Sequence, residues 1–194
     1  AVSKKEAHDC VHAYLEAGGN FIDTARHYNE SEAVLGRYFA KHGSRSRVVI
    51  ASKTRANQAE GIRSEIETSL RELQTDHIDL YYLHLPPDDP GEMESALDVM
   101  VRLKQEGKIR SIGASIKGPD VSERTVQLCR QYIDTGVVDA IQVIYSIFRQ
   151  RNAEVFGTAQ DTGVAAVSRT ALESGFLTAQ YDNGHALQTG DQRL

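Results

Sequence analysis

The sequence predicts an α/β protein with a (β/α)8 TIM barrel, incomplete in this chain, which carries about six of the eight strands of that fold. Helical segments and strand-length apolar segments alternate six times along the sequence, with a helix first. The strand segments are almost continuously apolar, as expected when a parallel sheet is covered on both faces. The residues that end the strands recur about every 30 positions, and a barrel of about 250 residues divides into eight units of that size.

A doubly wound sheet has units of similar length and is the main alternative. It is disfavoured because none of the strands is followed by the glycine-rich dinucleotide fingerprint or by a Walker loop. We therefore expect one barrel domain over residues 1–194 that is truncated at both ends, without its first strand and without the part after the seventh. An unclosed barrel of this kind has two exposed strand edges.

The helices are predicted from capping residues and from apolar side chains at a spacing of 3.6 residues. Ser3 and Glu6 form the first capping box, and Gly18-Gly19 ends that helix. Asn29 and Glu32 have the same spacing before a second helix. The apolar face of the first helix is formed by Ala7, Cys10, Val11, Tyr14 and Leu15. Later helices are expected over about 31–41, 58–73, 121–133 and 153–162. Another is expected between the Pro90 loop and Gly107, with Met93, Leu97, Met100 and Leu103 facing inward.

The strands are predicted from short apolar runs bounded by polar or glycine-containing segments. They cover Phe21–Asp23, Val48–Ser52, Ile78–Leu83, Ile109–Ser115, Ala140–Tyr145 and Val164–Ser168. The carboxyl ends of parallel barrel strands open onto one common mouth. The polar residues expected at that mouth are Asp23, Lys53, His84, Ser115, Gln142 and Arg169, with Tyr28 in the loop after the first strand.

Composition narrows the possible partners and compartments. The formal net charge is −5 and there is no basic run, which argues against nucleic acid as a partner. The longest apolar stretches are strand-sized, so no membrane span is expected. Cys10 and Cys129 are interpreted as buried free thiols of a reducing compartment, with a disulfide between them as the alternative. With no signal peptide in the sequence, the expected location is cytoplasmic, and no metal site is predicted.

Four of the residues at the mouth form a candidate catalytic set: Asp23, Tyr28, Lys53 and His84. Each has an ordinary interpretation alone: a loop tyrosine packs, a strand-end lysine is solvated, an aspartate caps a turn and a histidine is structural. Their joint placement favours a catalytic role, because three of them end consecutive strands and the fourth lies in the adjoining loop.

The four residue types suit the reduction of a carbonyl group. Hydride addition leaves an alkoxide that needs a proton, and a phenol with a pKa of about 10 is a poor acid unless a neighbouring cation lowers that value. Lys53 is expected to lower the pKa of Tyr28, and Asp23 to fix the ammonium by an ion pair. His84 is expected to hydrogen-bond the substrate oxygen and to orient it.

Several stretches, in this order, resemble the aldo-keto reductase family. They are residues 19–25 with Tyr28 and Ser31-Glu32, then 48–53, 69–84, 106–115 and 174–178. The resemblance covers nearly the whole chain. It implies a (β/α)8 barrel that binds NADP(H) and reduces a small-molecule aldehyde or ketone. Asp23, Tyr28, Lys53 and His84 fall on the family's catalytic positions, and all four residue types are intact.

The same resemblance implies the cofactor contacts. Ser115 and Gln142 should hold the nicotinamide carboxamide, and Arg169 should stack on the nicotinamide ring. The pyrophosphate should lie along Thr170, Ala171 and Leu172. The family commonly has Asn after the serine, where this chain has Ile116, which removes one carboxamide contact. The segment that grips the adenosine 2′-phosphate lies beyond this chain, so NADP(H) rather than NAD(H) is an expectation from the family.

Two other functions are compatible with parts of the pattern. One is a nucleotide-binding regulatory module on the same barrel, like the potassium-channel β-subunits. The other is an aldolase-type barrel in which Lys53 forms a Schiff base. The second accounts for Lys53 alone and leaves Tyr28, Asp23 and Gln142 unexplained.

Overall fold

The computed structural model describes residues 3–116 and 123–178. Six helices and six strands alternate in these ranges, helix first, which confirms the predicted order with ends shifted by a few residues. They are α1 Lys4–Glu16, β1 Phe21–Asp23, α2 Ser31–His42, β2 Val49–Thr54, α3 Ala59–Leu73, β3 Ile78–Leu83, α4 Pro90–Gln105, β4 Ile109–Ser115, α5 Glu123–Asp134, β5 Ala140–Ile144, α6 Phe156–Thr162 and β6 Ala165–Arg169. Short 3₁₀ turns cover Arg45–Arg47, Arg151–Val155 and Glu173–Gly175.

The six strands form one parallel sheet in sequential order, β1-β2-β3-β4-β5-β6. A doubly wound sheet would reverse its strand order at a switch point, so the sequential order excludes that alternative. The sheet is also curled, because a side chain of β5 reaches one of β1 across its inner face. This is the arrangement that a barrel requires.

The main core lies between the helices and the outer face of the sheet. Fully buried side chains of α3 and α4 pack there against the strands, among them Ile62, Ile66, Leu73, Met100 and Leu103. Burying one such side chain contributes roughly 1.5–3 kcal/mol, so this layer supplies most of the stability. The apolar cluster on the inner face is much smaller and consists of Ala51, Leu80, Tyr82 and Ala140, with Phe21 against it.

The edge strand β6 differs from the prediction that both faces of each strand are covered. Ala165, Ala166 and Ser168 of β6 are exposed. In the described ranges β6 pairs only with β5, so nothing there covers its other edge. The prediction is wrong for this strand.

The two predicted capping boxes have different outcomes. The first is confirmed: Glu6 N donates to Ser3 Oγ at 3.2 Å, and Ser3 N donates to the Glu6 carboxylate at 2.8 Å. The second is wrong, because α2 begins after Glu30 with no side-chain cap. The Glu32 carboxylate turns into the protein, where it is 1% exposed and accepts a 2.6 Å hydrogen bond from Ser52 Oγ.

Three smaller predictions, on the two cysteines and on the first residues of α6 and α5, have different outcomes. Cys129 is buried as expected, whereas Cys10 is exposed, because α1 buries only Leu15; both cysteines are free. Helix α6 begins at Phe156 rather than at 153, since a 3₁₀ turn occupies the preceding residues. The start predicted for α5 at 121 lies outside the described residues. In the ranges that are described, none of the helices has the length and apolar character needed to cross a membrane.

Candidate active site

The carboxyl ends of the strands bring the predicted polar residues to one mouth. Asp23, Ser115 and Arg169 are the last residues of β1, β4 and β6, respectively. Lys53 lies near the end of β2, Gln142 lies within β5, and His84 directly follows β3. Tyr28 lies in the loop between β1 and α2.

Lys53 is a buried cation with two short hydrogen bonds. Its side chain is 1% exposed, and its Nζ donates to Asp23 Oδ1 at 2.5 Å and to Thr24 O at 2.6 Å. A charge buried this deeply is tolerated only when it is paired and hydrogen-bonded. Burial holds the pKa of Lys53 below its ordinary value, against the opposing attraction of Asp23. The expected Asp23–Lys53 ion pair is therefore present.

Tyr28 lies beside this pair and remains open to solvent. Its side chain is 41% exposed, and the Lys53 Nζ is 5.4 Å from its ring centroid. Its ring meets the His84 imidazole edge-on, with centroids 5.7 Å apart and an interplanar angle of 80°.

The environment raises the pKa of Tyr28 instead of lowering it. Partial burial is the larger cause and the charge of Asp23 the second, and together they outweigh Arg169 and Arg55. The predicted lowering by Lys53 is not seen, which is consistent with an ammonium held against Asp23. Tyr28 therefore keeps its proton at neutral pH.

His84 is neutral at the same pH. It is 5% exposed, and burial, followed by repulsion from Lys53, lowers its pKa to about 4. Its Nδ1 is buried and has no hydrogen-bond partner among the residues that the structure describes. A buried polar atom without a partner next to an open tyrosine is a potential binding point for an oxygen atom of a ligand.

Ser115, Gln142 and Asp23 form a chain of hydrogen bonds across the inner face. Ser115 Oγ donates to Gln142 Oε1 at 2.9 Å, and Gln142 Nε2 donates to Asp23 Oδ2 at 2.9 Å. The two oxygens of Asp23 thus bind Gln142 and Lys53, respectively. Ser115 and Gln142 are both buried, and Gln142 lines the mouth.

A pocket of about 370 Å³ opens beside these residues. It is lined by Phe21, Asp23, Tyr28, Gln142, Val167, Ser168, Arg169 and Thr170. The Nη1 atom of Arg169 is buried and without a hydrogen-bond partner in the described ranges. Ala171 and Leu172 are exposed in the turn that follows β6. That turn is tied to the loop after β5, because Glu173 binds both Arg149 and Ser146.

The sequence did not indicate the roles that three residues have in this region: Arg26, Glu32, which was expected only as a helix cap, and Tyr82. Arg26 pairs with the buried Glu32, and its backbone N donates to Lys53 O at 3.1 Å, which anchors the loop that carries Tyr28. The ring of Tyr82 lies beside Lys53 on the inner face, with its centroid 5.6 Å from Nζ. The period of 2 along β3 signals this placement, because Tyr82 precedes His84 by two positions. The described residues contain no group of three His, Cys or carboxylate side chains able to hold a metal.

The fold and the place of this cluster define a (β/α)8-barrel protein whose polar residues lie where enzymes of that fold carry their active sites. Comparison with known proteins shows the particular family. The model of the Aldo/keto reductase family matches residues 1–194. The chain belongs to the aldo/keto reductase family, and the resemblance found in the sequence is confirmed.

Two curated relatives illustrate the similarity. Aldo-keto reductase YhdN of Bacillus subtilis is 31% identical over 204 residues, which cover 98% of this chain and 59% of the relative. The NADH-specific methylglyoxal reductase of Escherichia coli is 32% identical, with 87% of this chain and 58% of the relative covered. The chain thus spans less than two thirds of the length of these relatives.

Solved structures confirm the barrel. The holo form of aldo-keto reductase AKR11C1 from Bacillus halodurans superposes with a TM-score of 0.81 at 29% identity, covering 97% of this chain and 65% of that one. An aldo-keto reductase from Klebsiella pneumoniae in complex with NADPH gives a TM-score of 0.73 at 27% identity, covering 89% of this chain and 60% of that one. The six strands are therefore part of a (β/α)8 barrel.

Proposed function

We propose that this protein is an oxidoreductase that transfers a hydride from NADPH or NADH to an aldehyde or a ketone, with Tyr28 as the proton donor. One observation carries the proposal. The ring of Tyr28, the buried Lys53–Asp23 pair and the neutral His84 meet at the mouth of the barrel. The Tyr28 ring centroid lies 5.4 Å from the Lys53 Nζ and 5.7 Å from the His84 ring centroid.

Tyr28 has the state and the access that a proton donor needs. Its raised pKa keeps the hydroxyl protonated at neutral pH. The reduced nicotinamide would supply the hydride with the electron pair of one C–H bond and be oxidised in return. As the hydride bonds to the carbonyl carbon, the C=O π electrons move to the oxygen, and that oxygen takes the proton of the Tyr28 O–H bond. The phenolate then regains a proton from solvent, to which Tyr28 is 41% exposed.

Lys53 and His84 support this transfer in different ways. The Lys53 ammonium is fixed before the reaction, so it stabilises negative charge on Tyr28 without having to reorganise. The ring of the neutral His84 meets the Tyr28 ring edge-on, and its Nδ1 has no hydrogen-bond partner among the described residues. We assign to it the binding and orientation of the carbonyl oxygen.

The residues at the mouth fit a nicotinamide cofactor, which would supply the hydride. Gln142 retains an amide N–H and a carbonyl lone pair beyond its two hydrogen bonds, so it can bind a carboxamide together with Ser115. Arg169 has a planar guanidinium that can stack on an aromatic ring, and its Nη1 has no hydrogen-bond partner within residues 3–116 and 123–178. Thr170, Ala171 and Leu172 lie in the adjoining turn, where we place the pyrophosphate.

The proposal covers both NADPH and NADH as the hydride donor. The family resemblance favours NADP(H), and one similar structure is a complex with NADPH. A relative of similar identity is named as NADH-specific. Both cofactors therefore belong in the assay.

The test is the oxidation of NADPH and of NADH by the full encoded protein with an activated aromatic aldehyde. Replacing Tyr28 with Phe is expected to reduce kcat by at least about 100-fold, because general acid catalysis contributes that much. The Kd of the cofactor, measured by fluorescence titration, should not change. Tyr14→Phe controls for the loss of a tyrosine hydroxyl away from the mouth, since the Tyr14 hydroxyl on α1 bonds only the backbone of Phe21 among the described residues.

Other outcomes would contradict the proposal in distinguishable ways. Full activity of Tyr28→Phe would exclude Tyr28 as the acid. Cofactor binding without turnover by the wild-type protein would favour the regulatory module. An adduct on Lys53 that borohydride traps would favour the Schiff-base alternative, because hydride transfer requires no covalent intermediate.

A further inference from the structure

Lys53, Tyr82 and Gly113 lie side by side on three neighbouring strands. The register of the sheet pairs Lys53 with Tyr82 and Tyr82 with Gly113. Paired positions of a parallel sheet direct their side chains to the same face, which here is the inner face of the barrel. Tyr82 therefore lies between a lysine and a position that has no side chain.

Gly113 provides the space that the Tyr82 ring occupies. A Cβ atom on Gly113 would lie 2.5 Å from Cε1 of this ring and closer still to Cδ1, which is shorter than real contacts allow. The ring leans over β4 at this point and is fully buried. Any larger residue at position 113 would displace it.

The hydroxyl group does not explain the presence of a tyrosine at this site. Its oxygen is buried and has no hydrogen-bond partner among the described residues. The ring, in contrast, has a specific neighbour, because the Lys53 Nζ lies 5.6 Å from its centroid. That distance is within the range of about 6 Å in which an aromatic face attracts a cation.

Two aromatic rings therefore contact the Lys53 ammonium, at 5.4 Å for Tyr28 and 5.6 Å for Tyr82. Two of its three N–H groups donate to Asp23 and Thr24. The described residues offer no conventional acceptor to the third N–H group. The electron-rich face of an aromatic ring can compensate for that missing acceptor at a side chain that is only 1% exposed.

We propose that Tyr82 is a positioning residue for carbonyl reduction: its ring, seated on Gly113, holds the Lys53 ammonium against the ring of Tyr28. The inference rests on the proposed function, because it assigns Tyr82 a role that acts through Lys53. Without the ring, water enters the space beside Lys53 and the long lysine side chain gains other rotamers. The charge then no longer faces Tyr28 when the proton leaves.

The sharpest test changes the charge distribution of the ring and keeps its shape. Tyr82 is replaced with phenylalanine, difluorophenylalanine and pentafluorophenylalanine, since fluorine withdraws electron density from the ring face. The Phe variant should retain most of kcat. The pentafluoro variant should lose about 3- to 30-fold in kcat, because a cation–π contact contributes at that level. A ring that only fills space would give equal rates in all three proteins.

Two substitutions with standard amino acids extend the test. Tyr82→Leu removes the ring, and Gly113→Ala places a methyl group in the space that the ring occupies. Both substitutions should lower kcat by about 10- to 100-fold, as small misplacements of catalytic groups do. The KM of the aldehyde and the Kd of NADPH should stay the same. In a Lys53→Met background, Tyr82→Leu should have no further effect on kcat, because the two residues act as one unit.

The possible failures are distinguishable. Rates that are indifferent to fluorination, or additive effects of Tyr82→Leu and Lys53→Met, would overturn the role of Tyr82 if Tyr28→Phe is inactive. Full activity of Tyr28→Phe would overturn the proposed function itself. The fluorinated series does not depend on the folding of the leucine or alanine variant.

Discussion

Gln142 Nε2 donates a 2.9 Å hydrogen bond to Asp23 Oδ2 across 119 residues of sequence. The two residues belong to β5 and β1, which are four places apart in the sheet. They can meet only because the sheet curls until the inner faces of these strands approach each other. Since the other oxygen of Asp23 binds Lys53, this one carboxylate joins the proposed cofactor contacts to the proposed acid site.

Substitution of Gln142 by Leu should weaken cofactor binding. It removes the amide N–H and carbonyl lone pair that are proposed to bind the carboxamide, and a polar group buried without its partner costs about 1–3 kcal/mol. We expect the Kd of NADPH to rise by about 10-fold, which corresponds to 1.4 kcal/mol. Fluorescence titration measures the change, with Gln160→Leu on the exposed part of α6 as the control. An unchanged Kd would remove Gln142 from the cofactor site.

His84 should make the stability of the fold depend on pH. Its pKa is lowered from 6.5 to about 4 in the folded protein, so below 6.5 the unfolded chain binds more protons at this residue. The stabilisation is complete above pH 6.5 and is lost as the pH falls through that window towards 4. Its size is up to about 3 kcal/mol.

Urea unfolding between these pH values tests the assignment. His84→Asn should flatten the decrease in the free energy of unfolding at acid pH. His42→Asn, a change at an exposed histidine of α2, should leave the decrease unchanged. If the wild-type protein and His84→Asn lose stability in parallel, another group causes the pH dependence.

The sequence was sufficient to predict which residues meet. Lys53, His84 and Asp23 converge because each stands at the end of a parallel strand, and period and chain order alone determine that position. The order of helices and strands follows from the same pattern. These features depend on sequence spacing and not on the details of packing.

What each charge experiences could not be predicted in this way. The pKa of Tyr28 is raised first by partial burial and second by the charge of Asp23, which also lies 2.5 Å from the lysine that was expected to lower that pKa. Glu32 has the spacing of a capping residue but binds Ser52 and Arg26 instead, because folding brings these two partners next to it. At Cys10, the helical period gives the direction of a side chain but not the width of the buried stripe.

Glu32 should contribute far more to stability than its neighbour Glu30. Glu32 is 1% exposed and binds Arg26 and Ser52, so Glu32→Leu leaves a cation and a hydroxyl unpaired in the interior. We expect a loss of about 3 kcal/mol in the free energy of unfolding. Glu30 pairs with Lys4 at the surface at 3.3 Å, and such pairs contribute less than about 1 kcal/mol. Urea unfolding compares Glu32→Leu with Glu30→Leu, and equal losses in the free energy of unfolding would contradict the structural role of Glu32.

Asp79 should matter for stability and not for the reaction. It lies in β3 towards the amino end of the barrel, away from the mouth, and accepts hydrogen bonds from Arg45 at 2.8 Å, Ile50 N at 2.9 Å and Arg110 at 3.1 Å. Residues at that end of a barrel serve stability. Asp79→Asn should therefore cost about 2 kcal/mol by weakening a buried charged network.

The same variant should keep its kcat per folded molecule, in contrast to Tyr28→Phe. Asp98→Asn is the matched control, because Asp98 is exposed on α4. Unfolding by urea and turnover at a temperature well below the midpoint separate the two effects. A fall in kcat without a fall in stability would show that the network around Asp79 is coupled to the mouth of the barrel, either along β3 to His84 or through Ile50 and β2 to Lys53.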